Sequence, residues 1–355
     1  MNRLTSLLRY SPLCQLVLAR IREFFREPEA VFWGYGFPLL MAMALGFAFR
    51  NKPVEQFTVD LLAGNENQPI LQKLQADQRF QVRVGDDAEC RRRLRTGNTD
   101  LVISCDGPEQ SPQFHYLFDP TRPESQVARN AVEDALERYA GRTDLWQAEN
   151  LVFDEPGGRY IDFLVPGLIG MSLMGGGLWG VGFVTVDMRI RMLLKRFLAT
   201  PMKKHHFLGG LMLSRLLFLI PEVLTLLLFT RLVFGVQVHG SVISMLFLIL
   251  LGAATFAGLG LLVASRAKTI EAVSGLMNLV MLPMWILSGI FFQSSRFPDA
   301  IQPFIQALPL TQLINALRAV MLEGQSLMSQ SGNIGGLVLW GAISSILALR
   351  RFRWN

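Results

Sequence analysis

Long stretches almost free of charge constrain this chain more than any other feature. Residues 30–49, 163–186, 242–264 and 272–292 carry no Asp, Glu, Lys or Arg at all. A fifth stretch, 207–230, holds Arg215 and Glu222, and a shorter one covers 334–349. A bilayer hydrocarbon core of about 30 Å takes about 20 helical residues. A helix in a soluble core rarely stays apolar for so long, so the chain reads as an α-helical polytopic membrane protein with six transmembrane helices. Composition agrees: 51% of the 355 residues are hydrophobic and 17% charged, against about 25% charged in ordinary soluble domains. The first run begins at residue 30 without a small-residue cleavage site, so no cleavable signal peptide is expected.

Lys and Arg in the flanks set the orientation. The N-terminal flank holds Arg3, Arg9, Arg20, Arg22 and Arg26. The connection after the second run holds Arg189, Arg191, Lys195, Arg196, Lys203 and Lys204. Arg266 and Lys268, then Arg350, Arg351 and Arg353, fall on the same side, against Arg231, Arg296 and Arg318 on the other. Both termini are therefore expected in the cytoplasm, with residues 50–162 outside. The net charge of +6 then resolves into two parts. Residues 51–160 carry 13 basic and 19 acidic side chains, and the remainder 21 and 9. The positive charge marks topology and contact with anionic membrane lipid, so nucleic acid is not an expected partner.

The outside segment reads as one α/β domain. Strands are expected over 57–62, 80–84, 101–104 and 114–118, and helices over 69–76, 87–96 and 125–140. Asp86 followed by Glu89 forms a capping box. Alternating strands and helices imply partly parallel pairing. Cys90, in the first turn of the second helix, and Cys105, ending the third strand, fall at one sheet edge. A disulfide between them fits that geometry in an oxidising compartment, and two unpaired thiols are the alternative.

Motifs for chemistry are missing. None of the six lysines follows a glycine, so the chain has no Walker A site of its own and is not expected to be an enzyme. Gly175, Gly177 and Gly180 match GxGxxG literally, but inside an apolar run with no strand before it. Gly176 with Gly180, and Ala254 with Gly258, read instead as small residues that let helices approach. The four histidines have no metal-binding spacing.

Four further features stand out. Arg215 and Glu222, seven apart on one helix face, are costly in a membrane and read either as lining a translocation path or as a structural contact. Residues 13–27 form an amphipathic helix suited to the inner interface, or else an extension of the first span; Pro28 favours a break. Residues 293–333 hold two apolar helical patterns separated by Pro309, a re-entrant hairpin or a pair of surface helices. In 187–204, DMRIRMLLKRFLATPMKK, Met188, Met192 and Leu193 or Leu194 alternate with Arg189, Arg191, Lys195 and Arg196 in helical phase up to Pro201. Such a helix suits a groove on a soluble partner or an anionic lipid surface.

The stretch RIRMLLKRFLATPMKKHHFLGG resembles the inner-loop motif of type-2 ABC transporter permeases. FAGLGLLVASRAKTIEAVSGLMNLVMLPMWILSGIFF and FPDAIQPFIQALPLTQLINALRAVMLEG resemble that family's fourth and fifth spans and its outer re-entrant hairpin. The large outside domain is similar to that of the bacterial exporter subgroup. The resemblance implies a coupling helix at Arg189, Arg191, Lys195, Arg196, Thr200 and Pro201 that docks on an ATP-binding subunit. It places Pro283, Ser288 and Gly289 near the outer end of the fifth span, and Pro309, Thr311 and Arg318 in the outer hairpin. It also implies a permease dimer, of two copies or of sister permeases. No cofactor is expected in this chain, because ATP and Mg would be bound by the partner subunit.

These readings converge on the permease of an ATP-driven exporter in a bacterial inner membrane. The expected substrate is hydrophobic or amphipathic, such as a drug, and a periplasmic adaptor is a candidate partner. The alternative is a non-transporting membrane sensor or envelope assembly protein that acts through residues 50–162. A secondary transporter ranks third, since no inverted repeat is visible.

Overall fold

The computed structural model describes residues 12–49, 56–63, 68–106, 113–143, 158–198 and 204–351. They form two compact units, one of residues 1–50 and 154–355 and the other of residues 51–153. Helix α1 spans Pro12–Arg26. It ends where Glu27 turns extended and Pro28 starts a new helix, since proline fits the first turn but has no N–H to continue an earlier helix. Helix α2, Pro28–Ala48, is the first candidate span. It contains one π-helical turn, Phe32–Gly36.

The α/β unit contains β1 (Phe57–Leu62), α3 (Gln68–Ala76), β2 (Phe80–Gly85), α4 (Asp87–Thr96), β3 (Leu101–Asp106), β4 (Gln113–Leu117) and α5 (Pro123–Tyr139). The sheet order is β2-β1-β3-β4. β1 pairs in parallel with β2 and β3, and β4 closes the sheet antiparallel to β3. Asp86 caps α4 by accepting the Glu89 N–H at 2.8 Å, and Gly97 at φ +76° ends it.

Strand alternation sorts the two faces. Val59, Leu61, Leu101, Ile103 and Cys105 pack with Leu74 of α3 and with Ala128 and Val132 of α5. Asp60, one residue out of phase, lies on the opposite face beneath α4, whose Arg93 reaches it. The expected closeness of Cys90 and Cys105 is therefore corrected. Cys90 belongs to the α4 face and Cys105 to the α3/α5 face, so the sheet itself separates the two buried thiols and no disulfide joins them. Burial first, and the Asp60 carboxylate second, push the Cys90 thiol up to about 11.

The membrane unit continues with α6 (Tyr160–Ile190), α7 (Leu193–Leu198), α8 (Lys204–Phe234), α9 (Val242–Arg266), α10 (Ile270–Leu287), α11 (Gln302–Ala307), α12 (Pro309–Met321) and α13 (Ser331–Arg351). Among the described residues six helices are long and apolar enough to cross a membrane. The second, α6, is the most enclosed and the fourth, α9, comes next, while the first and last are largely exposed. Glycine brings these two enclosed spans together. A Cβ on Gly182 would lie 2.5 Å from the Gly260 carbonyl oxygen, and one on Gly177 would strike the Phe256 backbone. α6 and α9 thus touch backbone to backbone, as small residues permit. On its other side α9 meets α13, where Gly258 faces Ser344 and Ser345.

Two boundaries differ from expectation. The fifth apolar run does not stay helical to residue 292: α10 stops at Leu287, and Gly289 turns the chain at φ +78°. Nor is 187–204 one helix. α6 runs on to Ile190, and the left-handed Met192 (φ +59°) then breaks the chain before α7 begins at Leu193.

Candidate functional site

α8 crosses the core carrying the two ionisable residues that apolar surroundings punish most. Seven residues is about two helical turns, so Arg215 and Glu222 share a face. Arg215 Nη2 donates to Glu222 Oε2 at 2.9 Å and to the Ser172 carbonyl at 3.3 Å. Glu222 is only 5% exposed. α6 makes the room. A Cβ at Gly176 would overlap the Arg215 guanidinium, and one at Gly180 would sit 3.3 Å from its Cδ. The expectation that Gly176 and Gly180 serve helix–helix approach is therefore corrected: they seat an arginine, and the helices meet through Gly177, Gly182 and Gly260. Both neighbouring spans depart from α-geometry close by, at Phe32–Gly36 and Leu178–Phe183. π-turns of this kind often sit at functional positions. Tyr35, in the first of them, donates to the Phe218 carbonyl at 3.0 Å.

At the C-terminal end of α6 lies the basic elbow. Arg189 Nη1 donates to the carbonyls of Ala264 and Ala267, both at 3.2 Å. These carbonyls end α9, where helical partners run out and cations are favoured. Arg189 is thus anchored inward. Arg191 is exposed and pairs with Asp187 at 2.9 Å, and Arg196 is exposed while Leu194 is buried. Lys195 lies in α7. Thr200 and Pro201 fall outside the described residues.

The α11–α12 pair forms a third cluster. Leu308 is extended, and Pro309 opens α12 as its first helical residue, the break that the sequence predicted. Thr311 is fully buried. Arg318 donates to the carbonyls of Gly289 and Phe163 and lies over the Phe163 ring at 3.6 Å, a cation–π contact. One arginine therefore fastens α12 to the start of α6 and to the turn after α10.

A further clamp, Arg159 with Asp162, was not foreseen from the sequence pattern. Arg159 grips Asp162 through both Nε and Nη2 at 3.0 Å and donates Nη1 to the Phe234 carbonyl at 2.8 Å. It pins the start of α6 to the end of α8. The available signal was an Asp three residues after an Arg at the mouth of an apolar run. Among the described residues no cluster of His, Cys, Asp or Glu could hold a metal ion.

Comparison with known proteins places this architecture. The family described as "ABC-2 family transporter protein" matches residues 29–350. The chain is 26% identical to Nodulation protein J of Bradyrhizobium diazoefficiens over 200 residues, 56% of this chain and 75% of that protein. It is 29% identical to the inner membrane transport permease YadH of Escherichia coli over 168 residues, 46% of this chain and 64% of YadH. It is 26% identical to the probable multidrug ABC transporter permease YbhS of E. coli over 170 residues, 48% of this chain and 42% of YbhS. The match takes in four of the six candidate spans whole and all but one residue of the first and of the last, together with the glycine seam, the buried ion pair and the elbow. This multi-pass membrane chain belongs to the ABC-2 family of transporter proteins, as a membrane permease.

Proposed function

We propose that the chain is the membrane-spanning permease subunit of an ATP-driven exporter in a bacterial inner membrane. A separate subunit, docked on the elbow, binds ATP with Mg and hydrolyses it. Both termini and the elbow face the cytoplasm, α1 lies in the inner interface, the α/β unit lies outside, and α11–α12 dip back into the membrane from outside. Relatives named as an inner membrane transport permease and a probable multidrug permease support the location and a hydrophobic or amphipathic cargo such as a drug. Two permeases work together, in contact with lipid and with an adaptor outside.

The observation that carries this reading is the Arg189 anchor. Force on exposed Arg191 and Arg196 passes through Arg189 to the end of α9. α9 is locked to α6 by the glycine seam, and α6 carries the π-turn beside the Arg215–Glu222 pair. A displacement at the elbow therefore has a packed route to the core through Arg189, α9 and the glycine seam. The test is co-expression and co-purification with a candidate ABC ATP-binding subunit, followed by reconstitution in liposomes. Wild type is expected to show cargo-stimulated ATP hydrolysis, and Arg191→Glu with Arg196→Glu to lose the complex. Crosslinkers at the elbow that capture only lipid, with no ATPase co-purifying, would overturn the reading.

A further inference from the structure

The α/β unit carries a basic cleft that the transport reading leaves unused. Alternation along β2 puts Arg83 on the face covered by α4, beside Asp60, its cross-strand partner in β1. α4 supplies Arg92, Arg93 and Thr96 to the facing wall, and Asn98 completes the lining of a cavity of about 480 Å³. Small-ligand sites run to about 300–1,000 Å³.

Pairing inside the cleft is uneven. Asp60 is fully buried, and its Oδ1 has no partner among the described residues. Its Oδ2 accepts from Arg93 at 3.5 Å, and Arg93 also donates to Glu89 at 2.5 Å. Both nearby carboxylates are thus turned toward Arg93. Arg92 pairs loosely with that same Glu89 oxygen at 4.0 Å, and among the described residues Arg83 reaches only the neutral Gln81 amide oxygen at 3.3 Å. Among the described residues Arg83 faces the cavity from the sheet with no carboxylate partner, and Arg92 faces it from α4 with only a share of Glu89, whose closer partner is Arg93. They do so in a segment whose acidic residues outnumber its basic ones. Like charges brought together inside an acidic unit repel, and a bound anion removes that repulsion. The guanidinium fork matches the oxygens of a phosphate group, and the Asn98 amide, which gives one proton to Thr96 Oγ1, keeps a second to offer.

We infer that this cleft binds a phosphate-bearing anion, free or as the headgroup of an amphiphile, held by Arg83 and Arg92 from opposite walls with Arg93 fixed between Asp60 and Glu89. The inference stands apart from the transport reading, since a sensor would use the same cleft. The full chain in neutral detergent is titrated by calorimetry with inorganic pyrophosphate and, separately, with dihexanoyl phosphatidylglycerol below its micelle concentration. Binding of either probe is expected, weakening with salt. Arg83→Gln and Arg92→Gln should each weaken it about ten-fold or more, the loss of one charged hydrogen-bonding group. Arg95→Gln, on the same helix but outside the cleft, should leave it unchanged. Binding of the lipid alone assigns a headgroup, and competition by pyrophosphate assigns a site for the phosphate itself. Arg83→Lys and Arg92→Lys guard against misfolding: both keep the charge and should bind with intermediate affinity. No binding of either probe at millimolar concentration, or an equal loss in Arg95→Gln, overturns the inference.

Discussion

Arg215 is the residue whose surroundings are most completely built for it. Its guanidinium occupies the space where a side chain at position 176 would begin, and its charge is answered by Glu222. Removing one partner of a buried pair costs about 3–5 kcal/mol, because the other charge is left uncompensated. Gly176→Ala should act through the same bond, by pushing Arg215 off Glu222, and should lower the thermal unfolding midpoint in detergent about as much as Arg215→Ala. Gly180→Ala meets only a flexible Cδ at 3.3 Å and should cost about 1 kcal/mol or less. The double variant Arg215→Met with Glu222→Leu should recover much of the loss, as exchange of buried pairs for apolar residues often does. If that variant also transports normally, the pair is a structural contact and the translocation path runs elsewhere. Cys90 makes a second residue-scale case. Its thiol is raised to about 11 from an ordinary value near 9, so the thiolate is scarce at neutral pH and grows as pH climbs toward 11. Maleimide labelling of Cys90 in the folded protein should be slow at pH 7 and accelerate at least ten-fold by pH 9. Non-reducing gels should show no crosslink to Cys105. Folding holds this proton more tightly than the unfolded chain does. The α/β unit therefore keeps the full contribution below about pH 9 and loses it between about 9 and 11.

Elements differ in how openly the sequence declares them. The strands and helices of the α/β unit were legible almost to the residue, because local chemistry writes their ends: Asp86 caps, Gly97 closes, and alternation sets the faces. The six spans were legible because a bilayer demands length and apolarity together. The elbow was not. Its residues keep helical phase through 187–198, and nothing in the side chain of Met192 announces a left-handed turn, which costs a non-glycine residue roughly 1–2 kcal/mol. The Arg189 anchor, made with carbonyls 75 and 78 residues away, ties the chain there to the end of α9. The ion pair was legible as two charges on one face, but its seat in Gly176 was hidden in a glycine run that also packs helices. The elbow's strain gives an element-scale prediction. Met192→Gly should leave fold and expression intact and raise stability by about 1 kcal/mol, read as the unfolding midpoint. Arg189→Ala should strand the Ala264 and Ala267 carbonyls and loosen the elbow from α9. The ATP-binding subunit should still co-purify, while cargo-stimulated hydrolysis falls about ten-fold, the kinetic equivalent of losing about 1.4 kcal/mol of mechanical coupling.

At the scale of the whole molecule, charge and architecture divide along the same line. The segment holding the α/β unit is net acidic, whereas the rest of the chain is strongly basic. A charge-neutral fold would not need this division. A membrane protein does, because basic residues are retained on the cytoplasmic side while a long folded segment crosses regardless of its own charge. Burial inside the membrane unit points the same way. α6 and α9 are enclosed by protein, and α12 is buried alongside them, while α2, α10 and α13 turn most of their apolar surface outward. Apolar surface is inexpensive against lipid or a second copy and costly against water, so the outward faces require a bilayer around them. The orientation is therefore testable as a single two-sided property. Single cysteines at Arg142 in the α/β unit and at Gln325 in the turn after α12 should react with a membrane-impermeant maleimide in intact spheroplasts. A cysteine at Arg196 should react only after lysis. The native Cys14, Cys90 and Cys105 are first replaced by alanine. Moving the basic excess should also move the protein. Arg191, Arg196 and Lys268 changed together to Gln, with three lysines added in the turn after α12, should leave part of the population inverted, read as new labelling at position 196 in intact cells. If position 196 reacts from outside in the unaltered protein, the elbow does not face the cytoplasm, and no ATP-binding subunit could reach it.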